Sequence, residues 1–195
     1  KEAARYFYHQ LMSENGKRGY LYLRGRGLSD ETIKNFGLGY ANQYPDDLYR
    51  FLRQKGFSDA QLKDSGLVKI DERGCYDKFW NRVMFPIMDI NNKVIGFGGR
   101  VMGEGEPKYL NSPETPIFEK NRNLYGMHVA KRNRKPYFLI CEGYMDVISL
   151  HQAGFTNAVA SLGTAFTVQH GLLLKRYTKE VVLTFDSDGA GIKAA

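Results

Sequence analysis

Apolar residues recur at helical spacing through "EAARYFYHQLMSE", residues 2–14, and predict an amphipathic helix there. "SDETIKNFGLGYA", residues 29–41, opens on a Ser–Asp pair suited to helix capping. Two short helices are predicted over residues 46–56 and 58–68, each ended by Gly. The period then changes. Residues 82–101, "RVMFPIMDINNKVIGFGGRV", read as two β-type runs around Asn91 and Asn92, a pair that tolerates positive φ, so a hairpin is the simplest arrangement. Residues 107–116 are rich in Pro, Asn and Ser and predict an ordered or semi-ordered loop, which places a boundary between residues 1–117 and 118–195. Beyond it, "PYFLIC", "NAVAS" and "EVVLTF" read as strands separated by helices over 144–153 and 168–177. Such alternation implies right-handed crossovers and a parallel sheet. The fold class is therefore α/β: an α+β first part followed by a parallel-sheet part that reads as cut off at its end.

Charge changes this picture more than composition does. With 195 residues and 43% hydrophobic content the chain can bury a core. Its 28 Lys and Arg against 21 Asp and Glu give a net charge of +7, which favours polyanionic partners such as nucleic acid. Cys75 and Cys141 lie far apart without Cys or His at ligand spacing, so zinc within the chain and a disulfide framework are not expected. No apolar stretch reaches the roughly 20 residues that span a bilayer. A soluble protein of a reducing compartment is the expectation, without a membrane partner. The closing "GAGIKAA" reads as a helix cut in its first turns.

Against the basic background, acids collect where α/β proteins place their chemistry, at the carboxyl ends of strands. Glu142 follows the first strand of the second part, and Asp186 and Asp188 follow the third. Residues two apart on an extended segment point the same way, so the two Asp can converge on one ion. Glu142 joins them if the first and third strands are neighbours, with the second outside the pair. Clustered carboxylates need raised pKa values or a cation, and oxygen-only donors favour a hard ion such as Mg²⁺. Asp146, four residues past Glu142, can face the same site. Alternatively, "DSDGAG" is only a strand-to-helix turn with Asp188 as N-cap, and Glu142 a surface acid. Among the basic residues, Lys108, Tyr109 and Asn111 combine a cation, a ring and an amide in one loop, although that loop also reads as solvated surface. Arg100 follows "GFGG", where glycines admit a ligand or form a tight bulge. The run "KRNRKP" reads as a solvated loop. The four His show no ligand spacing.

"EGYMDVISLHQAGFTNAVASLGTAFT" followed by "FDSDGAGIKAA" resembles the Toprim domain of primases, topoisomerases and some nucleases. Together "EGYMDV", "AVASLGTA" and "NSPETPIF" look like the DnaG-type bacterial replicative primase, and residues 22–41, 81–101 and 107–126 are similar to the first part of its RNA polymerase core. The resemblance implies divalent metal, Mg²⁺ with Mn²⁺ able to substitute, on Glu142, Asp186 and Asp188 with Asp146 nearby. It implies that Arg26, Lys78, Arg82, Arg100, Lys108, Tyr109 and Lys120 handle template and nucleotide phosphates. Arg26 matches the family's Arg-Gly pair better than Arg24 does, because Leu28 and Ser29 follow. Lys78 stands where relatives often have Arg, which keeps the charge and loses the bidentate fork.

The implied activity is DNA-dependent synthesis of short RNA primers on single-stranded DNA by metal-dependent nucleotidyl transfer. The implied partners are single-stranded DNA, ribonucleoside triphosphates, an RNA–DNA hybrid and, through a domain outside this chain, the replicative helicase. The implied place is the bacterial cytoplasm, associated with the nucleoid. The zinc-binding module, the rest of the Toprim domain and the helical parts beyond it are expected outside these residues, so the chain alone is expected to be weakly active or inactive. Two other functions fit the same residues: a Toprim strand-cleaving enzyme, and a nucleic-acid-binding module without catalysis.

Overall fold

A computed structural model of the chain describes residues 1–186. They form two compact units, one of residues 1–87 and 94–118, the other of residues 88–93 and those from Glu119 onward.

In the first unit α1 (Glu2–Leu11) buries Ala3, Tyr6, Phe7 and Leu11 along one stripe, as its apolar spacing predicts. A further helix not predicted from the sequence, α2 (Lys17–Gly25), buries Gly19 and Leu23. Ser29 caps α3 (Asp30–Asn35) by accepting from the Thr32 N–H at 3.1 Å. Strand β1 (Gly39–Ala41) precedes α4 (Asp47–Gln54) and α5 (Asp59–Asp64), the latter opened by a Ser58–Gln61 capping box. Strands β2 (Val68–Asp71) and β3 (Gly74–Asp77) form a separate antiparallel pair.

The expected hairpin is β4 (Arg82–Met88) and β5 (Val94–Val101), with Asn92 at φ 64° in its turn. Part of the expected loop is instead β6 (Tyr109–Asn111), which pairs antiparallel with β5. Pro, Asn and Ser are poor strand formers, but an edge position tolerates them. The sheet order is β1-β4-β5-β6. One face carries Ala41, Met84, Phe97 and Leu110, packed with α1 and α4. On the other, the Tyr40 ring lies so close to Gly19 of α2 that a Cβ there would meet it at 2.8 Å.

The second unit has a short helix α6 (Met127–Ala130), then β7 (Tyr137–Cys141), α7 (Tyr144–Gln152), β8 (Ala158–Ala160), α8 (Val168–Leu174) and β9 (Glu180–Leu183). Its sheet is parallel with order β8-β7-β9, so the first and third strands are neighbours. Helix α8 ends at Leu174, earlier than expected, and runs into a turn in which the Tyr177 N–H donates to the Leu174 carbonyl and the Thr178 hydroxyl donates to the Pro136 and Glu180 carbonyls. Gly126 is at φ 81°, and a Cβ there would press within 2.9 Å of the Ala158 carbonyl. Phe138, Ile140, Val159, Met127 and Leu174 form this unit's core.

Candidate functional site

Parallel pairing of β7 with β9 decides where the acids go. The ladder continues past β9, with the Thr184 N–H and hydroxyl both donating to the Ile140 carbonyl at 2.9 and 3.0 Å. That extension carries the chain to Asp186, whose backbone N–H donates to Glu142 Oε1 at 2.7 Å. Both acidic residues are exposed. Asp146 stands in the first turn of α7, where its Oδ2 accepts from the Gly143 N–H at 3.0 Å and favours the helix N-terminus. Asp188 lies outside the described residues. Among the described residues no three acidic, His or Cys side chains converge on one point. Glu142 and Asp186 offer oxygen donors only, at adjacent strand ends, which suits a hard divalent ion and suits zinc poorly.

The basic candidates of the first unit do not share one surface. Arg100 stands opposite Tyr109 in the β5–β6 register, and Asn111 opposite Gly98, so these side chains face the same way. The Arg100 guanidinium lies 4.4 Å from the Tyr22 ring centroid and donates to the Val101 carbonyl at 3.1 Å. Burial pushes the Tyr109 hydroxyl up from its ordinary pKa, and the Arg100 and Arg26 charges pull against that shift. Arg26 at the end of α2 is exposed, whereas Arg24 is taken by the Leu28 carbonyl at 2.9 Å and Asp30 at 3.3 Å. The Lys108 side chain is exposed.

Arg82 shares a strand face with Met84, opposite to that of Phe85 and Tyr109. It is only 6% exposed, and its Nη1 donates to the Gly99 and Pro107 carbonyls at 3.2 and 2.9 Å. Gly99 makes room for it, since a Cβ there would meet Phe79 at 2.8 Å and the Arg82 stem at 3.1 Å. At least one glycine of "GFGG" therefore admits the protein's own core, not a ligand. Lys78 lies half-buried beyond β3, its N–H bonded to the Leu67 carbonyl at 2.8 Å.

In the second unit Lys120 is held through its backbone. Thr167 N–H donates to His170 Nδ1 at 3.2 Å, which leaves Nε2 as the donor to the Lys120 carbonyl at 2.8 Å. The Thr167 hydroxyl takes the Asn121 carbonyl at 2.8 Å. Burial lowers the His170 pKa, in keeping with a neutral ring. The run 131–136 is less solvated than its charge suggests: Lys131 bonds the Ile90 carbonyl, and Lys135 Nζ lies 4.5 Å from the Phe155 ring centroid.

Residues 6–131 match the model of the DNA primase catalytic core, N-terminal domain, and residues 139–195 match a Toprim-like model. The chain belongs to the DNA primase catalytic-core family. A DNA primase of Clostridium acetobutylicum is 49% identical over 97% of this chain and 32% of its own length, and one of Deinococcus radiodurans is 53% identical over 89% and 31%. The chain thus spans about a third of the curated relatives' length, 32% for the first of them. Among solved structures, the Escherichia coli primase catalytic core is 43% identical with a TM-score of 0.89, covering 98% of this chain and 62% of that one. The RNA polymerase domain of Mycobacterium tuberculosis primase DnaG, in complex with double-stranded DNA bearing a 6-nucleotide overhang, has a TM-score of 0.92 at 34% identity, covering 97% and 63%. Toprim-like primases are typically metal-dependent.

In this family's terms, the fold brings together Glu142 and Asp186 in one unit and Arg26, Arg100 and Tyr109 in the other. Sequence reasoning missed Tyr22 and His170. Tyr22 precedes Arg26 by four residues, a usable signal only once α2 is recognised as a helix. His170 has no ligand spacing, and its work is structural.

Proposed function

We propose that the chain carries the catalytic part of a primase, a DNA-dependent RNA polymerase that makes short RNA primers on single-stranded DNA for replication. The supporting observation is the bond between Glu142 and the Asp186 backbone at the ends of neighbouring parallel strands, in a chain of the primase catalytic-core family. Glu142, Asp186 and Asp188 would hold Mg²⁺ or, in substitution, Mn²⁺, while Asp146 caps the helix that follows Glu142. When bound, the ion lowers the barrier by stabilising charge on the attacking 3′-hydroxyl oxygen and on the departing pyrophosphate. The chain's own residues do the rest. Glu142 fixes the segment that bears Asp186. Arg26, Arg100 and Lys108 hold phosphates, and Tyr109 and Asn111 meet bases or sugars. Lys78 and Lys120 add charge. Arg82 acts from beneath the sheet by anchoring the Pro107 carbonyl and so the loop that bears Lys108.

The partners in this reading are single-stranded DNA, ribonucleoside triphosphates and the RNA–DNA hybrid product, with the replicative helicase met through another part of the full-length protein. The setting is the bacterial cytoplasm at the nucleoid. Ribonucleotide incorporation on single-stranded DNA, with Mg²⁺ or Mn²⁺ and a protein of its relatives' full length, tests it. Short RNA products that vanish in Asp186→Asn and Asp188→Asn variants are expected. Metal-dependent strand breaks without RNA would replace the primase with a Toprim nuclease, and DNA binding without either would leave a binding module.

A further inference from the structure

We infer that Thr167 and His170 are positioning residues for nucleotide binding: they clamp the backbone of the Lys120–Arg122 turn, and so set the Lys120 ammonium to grip the triphosphate of an incoming ribonucleotide. Both lie in the second unit with the turn they hold. That turn is a 3₁₀ helix of three residues, too short to stand by its own hydrogen bonds. Three successive carbonyls are instead each fixed by a side chain. The Glu119 carbonyl accepts from Asn123 Nδ2, the Lys120 carbonyl from His170 Nε2 and the Asn121 carbonyl from the Thr167 hydroxyl, all at 2.8 Å. His170 is fully buried, and its ring centroid lies 5.2 Å from that of Phe166, so the imidazole has little freedom to swing away.

The choice of residue is informative. Thr167 and His170 form the capping box of α8, with the His170 N–H donating to the Thr167 hydroxyl at 3.2 Å. Such a box is usually closed by Glu or Gln, whose task is to accept from the cap N–H. An ionised Glu would complete the cap and have no hydrogen for the Lys120 carbonyl. A neutral imidazole does both, accepting through Nδ1 and donating through Nε2. The box thus reaches beyond its own helix, which capping alone does not require.

Placement ties the turn to the acids. Tyr125 pairs antiparallel with Ala160 at the end of β8, its N–H donating to the Ala160 carbonyl at 2.8 Å. Residues 120–124 precede that bridge and therefore run out past the carboxyl end of β8. The three strands are parallel, so Glu142 and Asp186 leave the sheet at the same end, from β7 next to β8 and from β9 beyond it. Glu119 offsets Arg122, paired with it at 3.2 Å, and the turn keeps one net positive charge, that of Lys120. A cation beside two carboxylates suits a ligand that brings a divalent ion and several phosphates together, a nucleoside triphosphate with its metal. A template strand spreads its charge along its length and suits it less. The inference rests on the reading of the chain as a primase.

The test uses a protein of the relatives' full length and two conservative pairs. Thr167→Ser keeps the hydroxyl and Thr167→Val removes it; His170→Gln keeps an acceptor and a donor, and His170→Glu keeps only the acceptor. Thr167→Val and His170→Glu should raise the KM for ribonucleoside triphosphates on the order of tenfold, the scale of one hydrogen bond to a charged group. Their kcat should stay near wild type, because binding is lost and chemistry is not. Thr167→Ser and His170→Gln should match wild type. Added to Lys120→Ala, neither damaging change should raise KM further, since the clamp acts only through that side chain. The same order should hold for binding of a fluorescent ATP analogue with Mg²⁺, followed by anisotropy. Where His170→Glu fails to fold, Thr167→Val carries the test. A full further loss on Lys120→Ala would overturn the inference, as would thermal midpoints that fall while KM stays at wild type, the behaviour of a helix cap alone. If the wild type makes no RNA, the primase reading fails and the anisotropy series decides the clamp. A wild type that does not bind the ATP analogue overturns both.

Discussion

The two units place their charged residues by different rules. In the parallel-sheet unit, strand order alone brings Glu142 to Asp186, since β7 and β9 are adjacent and both chains leave the sheet at the same end. In the antiparallel unit, position along a strand says little and the face says nearly everything. Arg82 and Arg100 lie on paired neighbouring strands, yet the first is buried against carbonyls and the second stacks on Tyr22 and stands opposite Tyr109. A carboxylate at a strand end is therefore a strong functional signal, whereas an arginine within a strand becomes one only when its alternation is known.

The largest effect that would break this contrast concerns the acids. Glu142→Gln and Asp186→Asn should each reduce primer synthesis at least about 100-fold, the scale of losing one electrostatic stabiliser at a reacting centre. Single-strand affinity, measured by anisotropy, should stay near wild type. Loss of affinity equal to the loss of synthesis would mean that the acids shape the fold and not the chemistry.

An acid of the other unit should behave in the opposite way. Asp77 is buried beneath the start of α4, and burial, outweighing its two helix N–H donors, raises its pKa from 3.8 to about 7. A folded-state pKa above the unfolded one means that the folded protein prefers the protonated carboxyl. Its contribution is complete below about pH 4 and is lost as pH rises through about 7. Asp77→Asn keeps an acceptor for one N–H and does not titrate. Urea midpoints of wild type minus Asp77→Asn, taken across that window, should fall with pH by up to about 4 kcal/mol in stability. A flat or rising difference would place the ionised carboxylate as the preferred cap.

Arg82 and Arg100 give the third comparison. Arg82→Ala strands the Gly99 and Pro107 carbonyls in a site with 6% exposure and should cost about 3 kcal/mol of stability. Arg100→Ala should move the thermal midpoint little and weaken DNA binding. The reverse pattern would return Arg82 to the phosphate surface.

These cases also separate what residues alone reveal from what they conceal. The helix at residues 2–11, the Ser29 and Ser58 caps and the hairpin turn at Asn92 are local: spacing, a hydroxyl or a residue tolerant of positive φ is enough. The pairing of the first and third parallel strands was only a condition in the sequence, because a crossover connection does not say on which side the next strand adds. Strand β6 was hidden in Pro and Asn, since an edge strand has only one ladder to satisfy. Arg82 was the hardest to place. Its burial depends on Gly99 one strand away and on the Pro107 carbonyl, neither of which lies within its own periodicity window.

The smallest effect tests the residue that sequence reasoning passed over. The Tyr22 ring faces the Arg100 guanidinium at 4.4 Å, at a partly exposed site where such contacts contribute roughly 0.5–1 kcal/mol. Tyr22→Ala releases Arg100 and should weaken single-strand affinity by about 2- to 5-fold, the same energy expressed as a ratio. Tyr22→Phe keeps the ring and should match wild type, because the stacked face and not the hydroxyl holds the guanidinium. If the ring acts only through Arg100, then Tyr22→Ala added to Arg100→Ala should cost nothing further. A full additional loss in the double variant would instead make Tyr22 a direct contact to the strand.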